Sequence, residues 1–267
     1  METITKSLHL PSTHNTGYLY GSGWKSISMV DVYKSVTFTL WLCGCNLRCP
    51  FCHNWHLAVN DQLFCRPLDM NDIVEHVKTT KNLIDYLHIT GGEPIIQFIP
   101  LSYFLRKIRE IGVRISINTN LTLVNPLKKL IEENLIDHIA TDLKSPHRIL
   151  YGHDIRTSDK LWEMFLKGLE LVKDSDIPLE LRIPVPRKLV NTKEYLEDIS
   201  EALSIIKNHR KTYVIVQPLL GYPVTDPRDK EWCSEYCDPE PDELEDVATY
   251  VRKMTGFQVI IKRHVTL

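Results

Sequence analysis

The sequence lacks an excess of charge of either sign, because 32 Lys and Arg residues nearly balance 34 Asp and Glu residues in a chain of 267. Without a large single-sign field there is no electrostatic signal for nucleic acid or an anionic membrane as a partner. The sequence also lacks a run of about 18 apolar residues, and no apolar stretch follows positive charge near its start. These absences predict a cytoplasmic protein that acts on a small molecule or a protein.

Repeats and low-complexity segments are also missing, and the 43% apolar content is enough to bury a substantial core. Strand-like and helix-like stretches alternate in roughly six or seven units, which is typical of parallel strands joined by crossover helices. The sequence therefore predicts an α/β fold with a parallel, barrel-like sheet. We expect one domain over residues 1–267, with a core at about residues 20–220 and a C-terminal extension of loop, helix and strand over 221–267.

The Pro-rich and charged stretch over residues 218–242 is too long for an ordinary connection. It predicts either a functional lid or a locally mobile loop. In barrel-like α/β folds the loops at the carboxyl ends of the strands carry the chemistry, so we expect the functional residues at those ends.

Cysteine is scarce but clustered, since five of the seven cysteines lie between residues 43 and 65. This pattern favours a metal site in a reducing compartment over a disulfide framework. Cys43 and Cys65 are expected to be unassigned thiols. Cys233 and Cys237 lie four residues apart, but two ligands do not fill a tetrahedral zinc site and no nearby Cys or His completes one.

Cys45, Cys49 and Cys52 have the spacing C-x3-C-x2-C and follow a β-branched, aromatic strand over residues 36–42. A [4Fe-4S] cluster normally takes four thiolates, so a three-cysteine loop leaves one iron open to an outside ligand. S-adenosylmethionine (SAM) can chelate that iron, and an electron from the cluster then breaks a sulfonium C–S bond. A structural zinc site, with His53, Cys43 or Cys65 as fourth ligand, and simple buried thiols are the alternatives.

Residues 42–54, LCGCNLRCPFCHN, resemble the cluster loop of radical SAM activating enzymes. The resemblance implies a partial (β/α)6 TIM-like barrel of the radical SAM type, with Cys45, Cys49 and Cys52 as catalytic cluster ligands. It also implies that Phe51 lies beside the adenine of SAM, although Phe51 could instead be a core residue. The Cys-His-Asn ending is similar to activases of glycyl-radical enzymes, above all those of anaerobic ribonucleotide reductase and pyruvate formate-lyase. His53 and Asn54 then either tune the cluster or cap the loop.

The stretch Gly91-Gly92-Glu93-Pro94 follows a predicted strand over residues 86–90. Two glycines permit close backbone approach to a ligand, and a carboxylate can bind an ammonium group. The stretch resembles the family's motif for the SAM amino group, which implies SAM-binding roles for Gly91, Gly92 and Glu93. An ordinary turn is the alternative.

Three weaker sites follow at later strand ends. By resemblance, Asn118 and Thr119 lie near the SAM ribose and a monovalent cation site, Asp142 and Lys144 lie in the same cation region, and Arg182 binds the SAM carboxylate. Asn118 replaces an Asp of the family, which puts the cation site in doubt. A buried ion pair is the alternative for Asp142, and a surface position is the alternative for Arg182. Gln217 stands where some activases carry a His.

The resemblance implies an enzyme that cleaves SAM reductively to a 5′-deoxyadenosyl radical and installs a glycyl radical on a partner protein. Its cofactors are then a [4Fe-4S] cluster and SAM, and its electron donor a flavodoxin or ferredoxin. The sequence carries no Arg-Val-x-Gly-Tyr-like motif, which places it on the activator side. The alternatives are radical modification of a nucleoside, cofactor precursor or peptide, and, from another class, a non-catalytic iron-sulfur electron carrier.

Overall fold

The computed structural model describes residues 17–262. Within this range nine strands form one sheet, in the spatial order β3-β1-β2-β4-β5-β6-β7-β8-β9. The strands are β1 (Tyr18–Ser28), β2 (Thr37–Leu42), β3 (Arg66–Asp69), β4 (Tyr86–Gly91), β5 (Ile115–Asn118), β6 (His138–Asp142), β7 (Leu179–Val185), β8 (Thr212–Pro218) and β9 (Gln258–Ile261).

Seven of these strands, β2 and β4 to β9, run parallel to one another. β1 pairs antiparallel with both β2 and β3. The parallel strands place all their carboxyl ends on one edge of the sheet, which is where the cysteine loop and the later polar motifs begin. The predicted α/β fold with a parallel sheet is confirmed.

Helices fill most of the connections between parallel strands. They are α1 (Trp55–Ala58), α2 (Met70–Thr80), α3 (Phe98–Glu110), α4 (Val124–Glu132), α5 (His147–Leu150), α6 (Ile155–Lys173), α7 (Lys193–Ile206), α8 (Lys230–Tyr236) and α9 (Pro241–Thr255), with a 3₁₀ turn at Pro94–Gln97.

Local sequence explains several helix boundaries. The carboxylate of Asp69 accepts hydrogen bonds from the first amides of α2, and Asp154 does the same for α6. Apolar residues at helical spacing over 101–111, followed by Gly112, predict a helix that ends at the glycine. Gly112 lies just beyond α3 and has a φ of 76°, in the left-handed region, which confirms that end. The apolar faces of these helices cover the sheet, and one continuous core runs from β1 to α9.

Two regions differ from the expectations. The weakly periodic N-terminal region contains β1, an 11-residue strand whose alternating burial is interrupted by bulges in its pairing with β2. The stretch 218–242 contains α8 and the start of α9 rather than only a loop. No helix in residues 17–262 combines the length and the apolar character needed to cross a membrane.

Candidate active site at the carboxyl ends of the strands

A cavity of about 1050 Å³ lies at the carboxyl edge of the sheet. It is lined by residues from the loop after β2, from the ends of β4 to β9, and from residues 29–34 between β1 and β2. Most of the residues predicted at the site border it: Cys45, Cys49, Phe51, Cys52, Gly91, Gly92, Asn118, Thr119, Asp142, Lys144 and Arg182. The structure therefore brings motifs that are up to 137 residues apart in sequence, from Cys45 to Arg182, to one cavity.

Cys45, Cys49 and Cys52 are the free cysteines of the chain. Burial, followed by the nearby carboxylate of Glu93, raises the pKa of Cys45 to about 12, and burial also raises the pKa of Cys49 and Cys52. Buried thiols become thiolates when a cation binds them. The backbone amide of Leu47 donates to the Sγ of Cys45 at 3.4 Å, a contact that suits a thiolate ligand.

The sequence predicts that the three thiols bind a [4Fe-4S] cluster, and that stays a prediction. Within residues 17–262 no three Cys, His, Asp or Glu side chains surround a point where one metal ion could bind. A [4Fe-4S] cluster takes each thiolate on a different iron atom, so its ligands need not converge on one point. Cys45, Cys49 and Cys52 would hold such a cluster. When bound, the cluster supplies one electron and one open iron for a ligand.

The other four cysteines correct the expectation of unassigned thiols, because Cys43 is bonded to Cys65 and Cys233 to Cys237. Gly21 of β1 explains the first bond, since it pairs with Leu42 on one side and with Arg66 on the other. This pairing brings Cys43 and Cys65 within 6.2 Å of each other, measured between Cα atoms. Neither pair is available as a cluster or zinc ligand.

The two glycines of the Gly-Gly-Glu-Pro turn are required by the cysteine loop itself. A Cβ on Gly91 would overlap the carbonyl oxygen of Leu42, and a Cβ on Gly92 would overlap that of Gly44. The amides of Gly92 and Glu93 donate to those same oxygens at 2.9 and 2.7 Å. The turn is thus bonded directly to the start of the cysteine loop, and this close approach is a use of glycine that the sequence motif did not reveal.

Glu93 is fully buried and is not among the residues that line the cavity. Its carboxylate accepts hydrogen bonds from the hydroxyl of Thr119 at 2.8 Å and from the amides of Ile95 and Asn120 at 3.1 and 2.6 Å. Burial raises the pKa of Glu93, although these three hydrogen bonds oppose that shift. In this structure Glu93 joins the β4 and β5 turns, and its predicted contact with the SAM ammonium stays a prediction.

The loop after β5 extends this contact to the cysteine loop through a chain of side-chain hydrogen bonds. The side chain of Asn120 donates to Asn46 at 2.8 Å, and Asn46 donates to the hydroxyl of Thr122 at 2.7 Å. Asn118 lies at the cavity and donates to the hydroxyl of Thr90 at 3.2 Å. Asn54 donates to the carbonyl of Gly91 at 3.4 Å, so its side chain bridges to the turn and does not cap α1.

Asp142 and Lys144 form an ion pair of 3.0 Å beside the thiols. Burial acts to raise the pKa of Asp142, but the charges of Lys144 and Arg182 outweigh it and leave the pKa lowered. The ion pair that was the alternative for Asp142 is therefore present and partly buried, with Lys144 contributing positive charge next to Cys49 and Cys45.

Arg182 lines the cavity, and protein groups accept hydrogen bonds from its guanidinium. Its Nε donates to Glu180 at 2.6 Å, and a terminal nitrogen donates to the backbone oxygen of Asp31 at 2.5 Å. The pKa of Glu180 is lowered because the charge of Arg182 and further hydrogen bonds outweigh the opposing effect of burial. A role of Arg182 toward SAM stays a prediction, now with two of its donors already used.

We call the polar layer around Arg182 the polar floor of the cavity. From Glu180 in β7 it continues through four hydrogen bonds of 2.6 to 3.3 Å. They lead to β8, then to β6, β5 and β4. Its members are His88, Ser116, His138, Glu180, Arg182 and Tyr213. Of these residues only Arg182 is predicted from the sequence, because single polar residues inside strands carry no motif.

The sequence profile of the radical SAM superfamily matches residues 40–203, which span the cysteine loop and the strands that line most of the cavity. This chain belongs to the radical SAM superfamily. The family assignment agrees with the three-cysteine loop, the parallel sheet and the resemblance described from the sequence. A [4Fe-4S] cluster and SAM are the cofactors that membership of this superfamily implies.

Of three curated relatives, two are named as activating enzymes and one as a synthase. A Methanocaldococcus jannaschii protein with the provisional name glycyl-radical enzyme activating enzyme is 27% identical over 185 residues, 68% of this chain and 74% of its own. The pyruvate formate-lyase-activating enzyme of Staphylococcus aureus is 23% identical over 222 residues, 80% and 82% of the two chains. The 7-carboxy-7-deazaguanine synthase of Hyperthermus butylicus is 32% identical over 138 residues, 46% and 54%.

Among solved structures, a radical SAM methyltransferase from Sphaerobacter thermophilus superposes with a TM-score of 0.59. The match covers 85% of this chain and 66% of that structure, at 14% sequence identity. At this identity the similarity concerns the fold alone. It confirms the radical SAM architecture predicted from the sequence.

Proposed function

We propose that this protein holds a [4Fe-4S] cluster on Cys45, Cys49 and Cys52, cleaves SAM reductively, and installs a glycyl radical on a partner enzyme such as anaerobic ribonucleotide reductase. The observation that carries the proposal is the direct bonding of the Gly-Gly-Glu-Pro turn to the three-thiol loop at one cavity. Similarity to two activating enzymes supports the choice of a glycyl radical as product.

The chemistry balances with one external electron. A low-potential donor, such as flavodoxin or ferredoxin, gives one electron, SAM is split into methionine and a 5′-deoxyadenosyl radical, and this radical takes a hydrogen atom from a glycine Cα of the partner. The products are methionine, 5′-deoxyadenosine and the glycyl radical. The protein's own residues hold the reacting groups at the carboxyl edge and keep bulk water from them.

Individual residues have separate parts in this proposal. Gly91, Gly92 and Glu93 position the SAM amino group beside the thiols, and Phe51 packs against the adenine. Asn118 and Thr119 face the ribose. The ion pair of Asp142 and Lys144 places two fixed charges in the cavity lining beside the thiols.

A second candidate is radical modification of a nucleoside-like small molecule. The deazaguanine synthase relative, with 32% identity over 138 residues, is the observation that favours it. The electron-carrier alternative is weaker, because a carrier needs no SAM-binding turn and the chain belongs to a superfamily of SAM enzymes.

The test uses anaerobically reconstituted protein with SAM and dithionite. Release of methionine and 5′-deoxyadenosine is expected, and its absence at full iron loading would contradict SAM cleavage. Adding a candidate glycyl-radical enzyme should then give a glycyl doublet in the electron paramagnetic resonance (EPR) spectrum. Turnover of a purine precursor, with no glycyl radical on any candidate enzyme, would instead establish the second candidate.

A further inference from the structure

Arg228 lies in the segment over residues 219–238, which follows β8 and contacts the cysteine loop. The two ends of this segment are joined, because the amide of Asp238 donates to the carbonyl of Leu219 at 2.7 Å and the amide of Gly221 donates to the carboxylate of Asp238 at 3.1 Å. Arg187 holds α8 in place by donating side-chain hydrogen bonds to the carbonyls of Ser234 and Glu235. The segment is therefore a closed loop with fixed ends.

The backbone of this loop is bonded to the cysteine loop at two successive residues. The amide of Arg228 donates to the carbonyl of Cys52 at 3.1 Å, and the amide of Asp229 donates to the carbonyl of Pro50 at 2.9 Å. Trp232 of α8 packs against Phe51, with ring centroids 6.2 Å apart. Arg228 is thus held beside the third cysteine by main-chain contacts that do not involve its side chain.

The side chain of Arg228 has a buried donor without an acceptor. Its Nε makes no hydrogen bond within residues 17–262, and Arg228 forms no ion pair with the acidic groups described there. Its neighbour Lys230 is paired with Asp226 at 2.7 Å. A buried guanidinium donor without a partner indicates an acceptor that protein atoms do not provide.

The side chain of Arg228 lies close enough to Cys49 and Cys52 for its positive charge to act on both residues. Lys144 also acts on these thiols, but its ammonium is paired with Asp142. Of these two cations next to the cysteine loop, Arg228 is therefore the one without an ion-pair partner among the described residues.

We propose that Arg228 is a positioning residue of the cluster site, whose guanidinium donates a hydrogen bond to sulfur on the Cys49 and Cys52 side and makes the cluster easier to reduce. Hydrogen bonds to sulfur and positive charge both raise the reduction potential of iron-sulfur clusters. The inference rests on the cluster assignment within the proposed function, and it is independent of what the radical acts on. It gives the segment 219–238 a role at the cluster.

The experiment is a redox titration of reconstituted Arg228→Gln, followed by EPR and without SAM or partner. We expect full iron content and a more negative midpoint. At a solution potential equal to the wild-type midpoint, the ratio of reduced to oxidised cluster should fall about tenfold, which is about 59 mV for one electron. Arg228→Lys keeps the charge but loses the planar donor group, so its midpoint should lie between the two.

Lys230→Gln is the matched control, because it removes one positive charge from the same segment at an exposed, ion-paired position. Its midpoint should equal that of the wild type. An unchanged midpoint in Arg228→Gln at full iron loading would overturn the proposal, as would an equal shift in Lys230→Gln.

If Arg228→Gln does not hold a full cluster, Arg228→Lys distinguishes a need for positive charge from a role in maintaining the loop. Retention of the cluster by Arg228→Lys supports a need for positive charge, whereas loss in both variants means that the side chain only maintains the loop and overturns the proposal. A wild-type protein that binds no cluster would refute the proposed function itself. A wild-type cluster that forms but activates no partner would leave this test unaffected.

Discussion

Residues of the polar floor and of the cysteine loop line one cavity, and the two regions differ in how completely protein atoms satisfy them. At the floor, the carboxylate of Glu180 accepts hydrogen bonds from Arg182, from the hydroxyl of Tyr213 and from the amide of Tyr33. At the cysteine loop, three thiols stay free of disulfides and the Nε of Arg228 lacks a partner within the described residues. Protein atoms alone satisfy the floor, whereas in the proposed function a bound cluster completes the loop.

This contrast separates residues that support the fold from residues that support the chemistry. Substitutions at the floor should reduce stability, and substitutions at the cysteine loop should reduce cofactor binding at little cost to stability. The turn around Glu93 lies between the two regions and should show both effects.

The largest effect is expected at the cysteine loop. Cys45→Ala, Cys49→Ala and Cys52→Ala should each abolish SAM cleavage, because each removes a cluster thiolate. Iron content and 5′-deoxyadenosine release provide the measurement. Cys233→Ala is the control and should keep both, since Cys233 is bonded to Cys237. A triple Cys45/Cys49/Cys52 variant with a full cluster and normal turnover would show the ligand assignment to be wrong.

At the floor, Glu180→Ala should lower the free energy of unfolding by about 3–5 kcal/mol, because it leaves the charge of Arg182 buried without its partner. Denaturant unfolding of the apoprotein measures this. The matched control is Asp176→Ala, which breaks an exposed ion pair with Lys211 and should cost about 0–1 kcal/mol. Equal effects of the two substitutions would remove the distinction between floor and surface.

The third prediction concerns Glu93, whose substitution by Ala should weaken SAM binding about tenfold or more. A charge-assisted hydrogen bond to an ammonium contributes about 1.5–3 kcal/mol. Calorimetric titration of SAM into cluster-loaded protein gives the affinity. Glu93→Gln is the matched control, because it removes the charge but keeps an oxygen that can accept from Thr119 and from the amide of Ile95. If Glu93→Gln binds SAM as tightly as the wild type, Glu93 acts by holding the turn and does not bind the SAM ammonium through its charge.

The fourth prediction concerns a pH dependence of stability that originates in the floor. Burial lowers the pKa of His88 to about 3 and that of His138 to about 4, so both stay neutral in the folded protein at pH values where the unfolded chain binds protons. Stability is therefore full above the unfolded pKa of about 6.5 and falls as pH decreases toward 4, by about 1.4 kcal/mol per pH unit for each histidine.

Urea unfolding of the apoprotein between pH 7 and pH 4.5 measures this slope. His138→Gln keeps a polar side chain but cannot take up a proton, and it should remove about half of the histidine contribution. His76, which lies on the exposed face of α2, is the control position, and His76→Gln should leave the slope unchanged. An unchanged slope in His138→Gln would place the acid sensitivity elsewhere.

The sequence by itself determined the α/β alternation, the helix end at Gly112 and the two principal motifs. These features depend on residues close together in the chain: apolar spacing for helices, β-branched runs for strands, and a fixed cysteine spacing for a cluster. The long strand β1 escaped prediction because bulges interrupt its alternation.

Only the tertiary structure decided which partners the motif residues have. Strand pairing across Gly21 joined Cys43 to Cys65, close packing used both glycines of the turn against the cysteine loop, and the return of the chain after β8 brought Arg228 to Cys52. Glu93 and Arg182 were predicted from the sequence as SAM-binding residues, but in the structure their side chains form hydrogen bonds with other protein groups. Residue type and spacing identify the chemistry that a side chain can do, whereas its hydrogen-bond partners depend on contacts between distant strands, which no local pattern records.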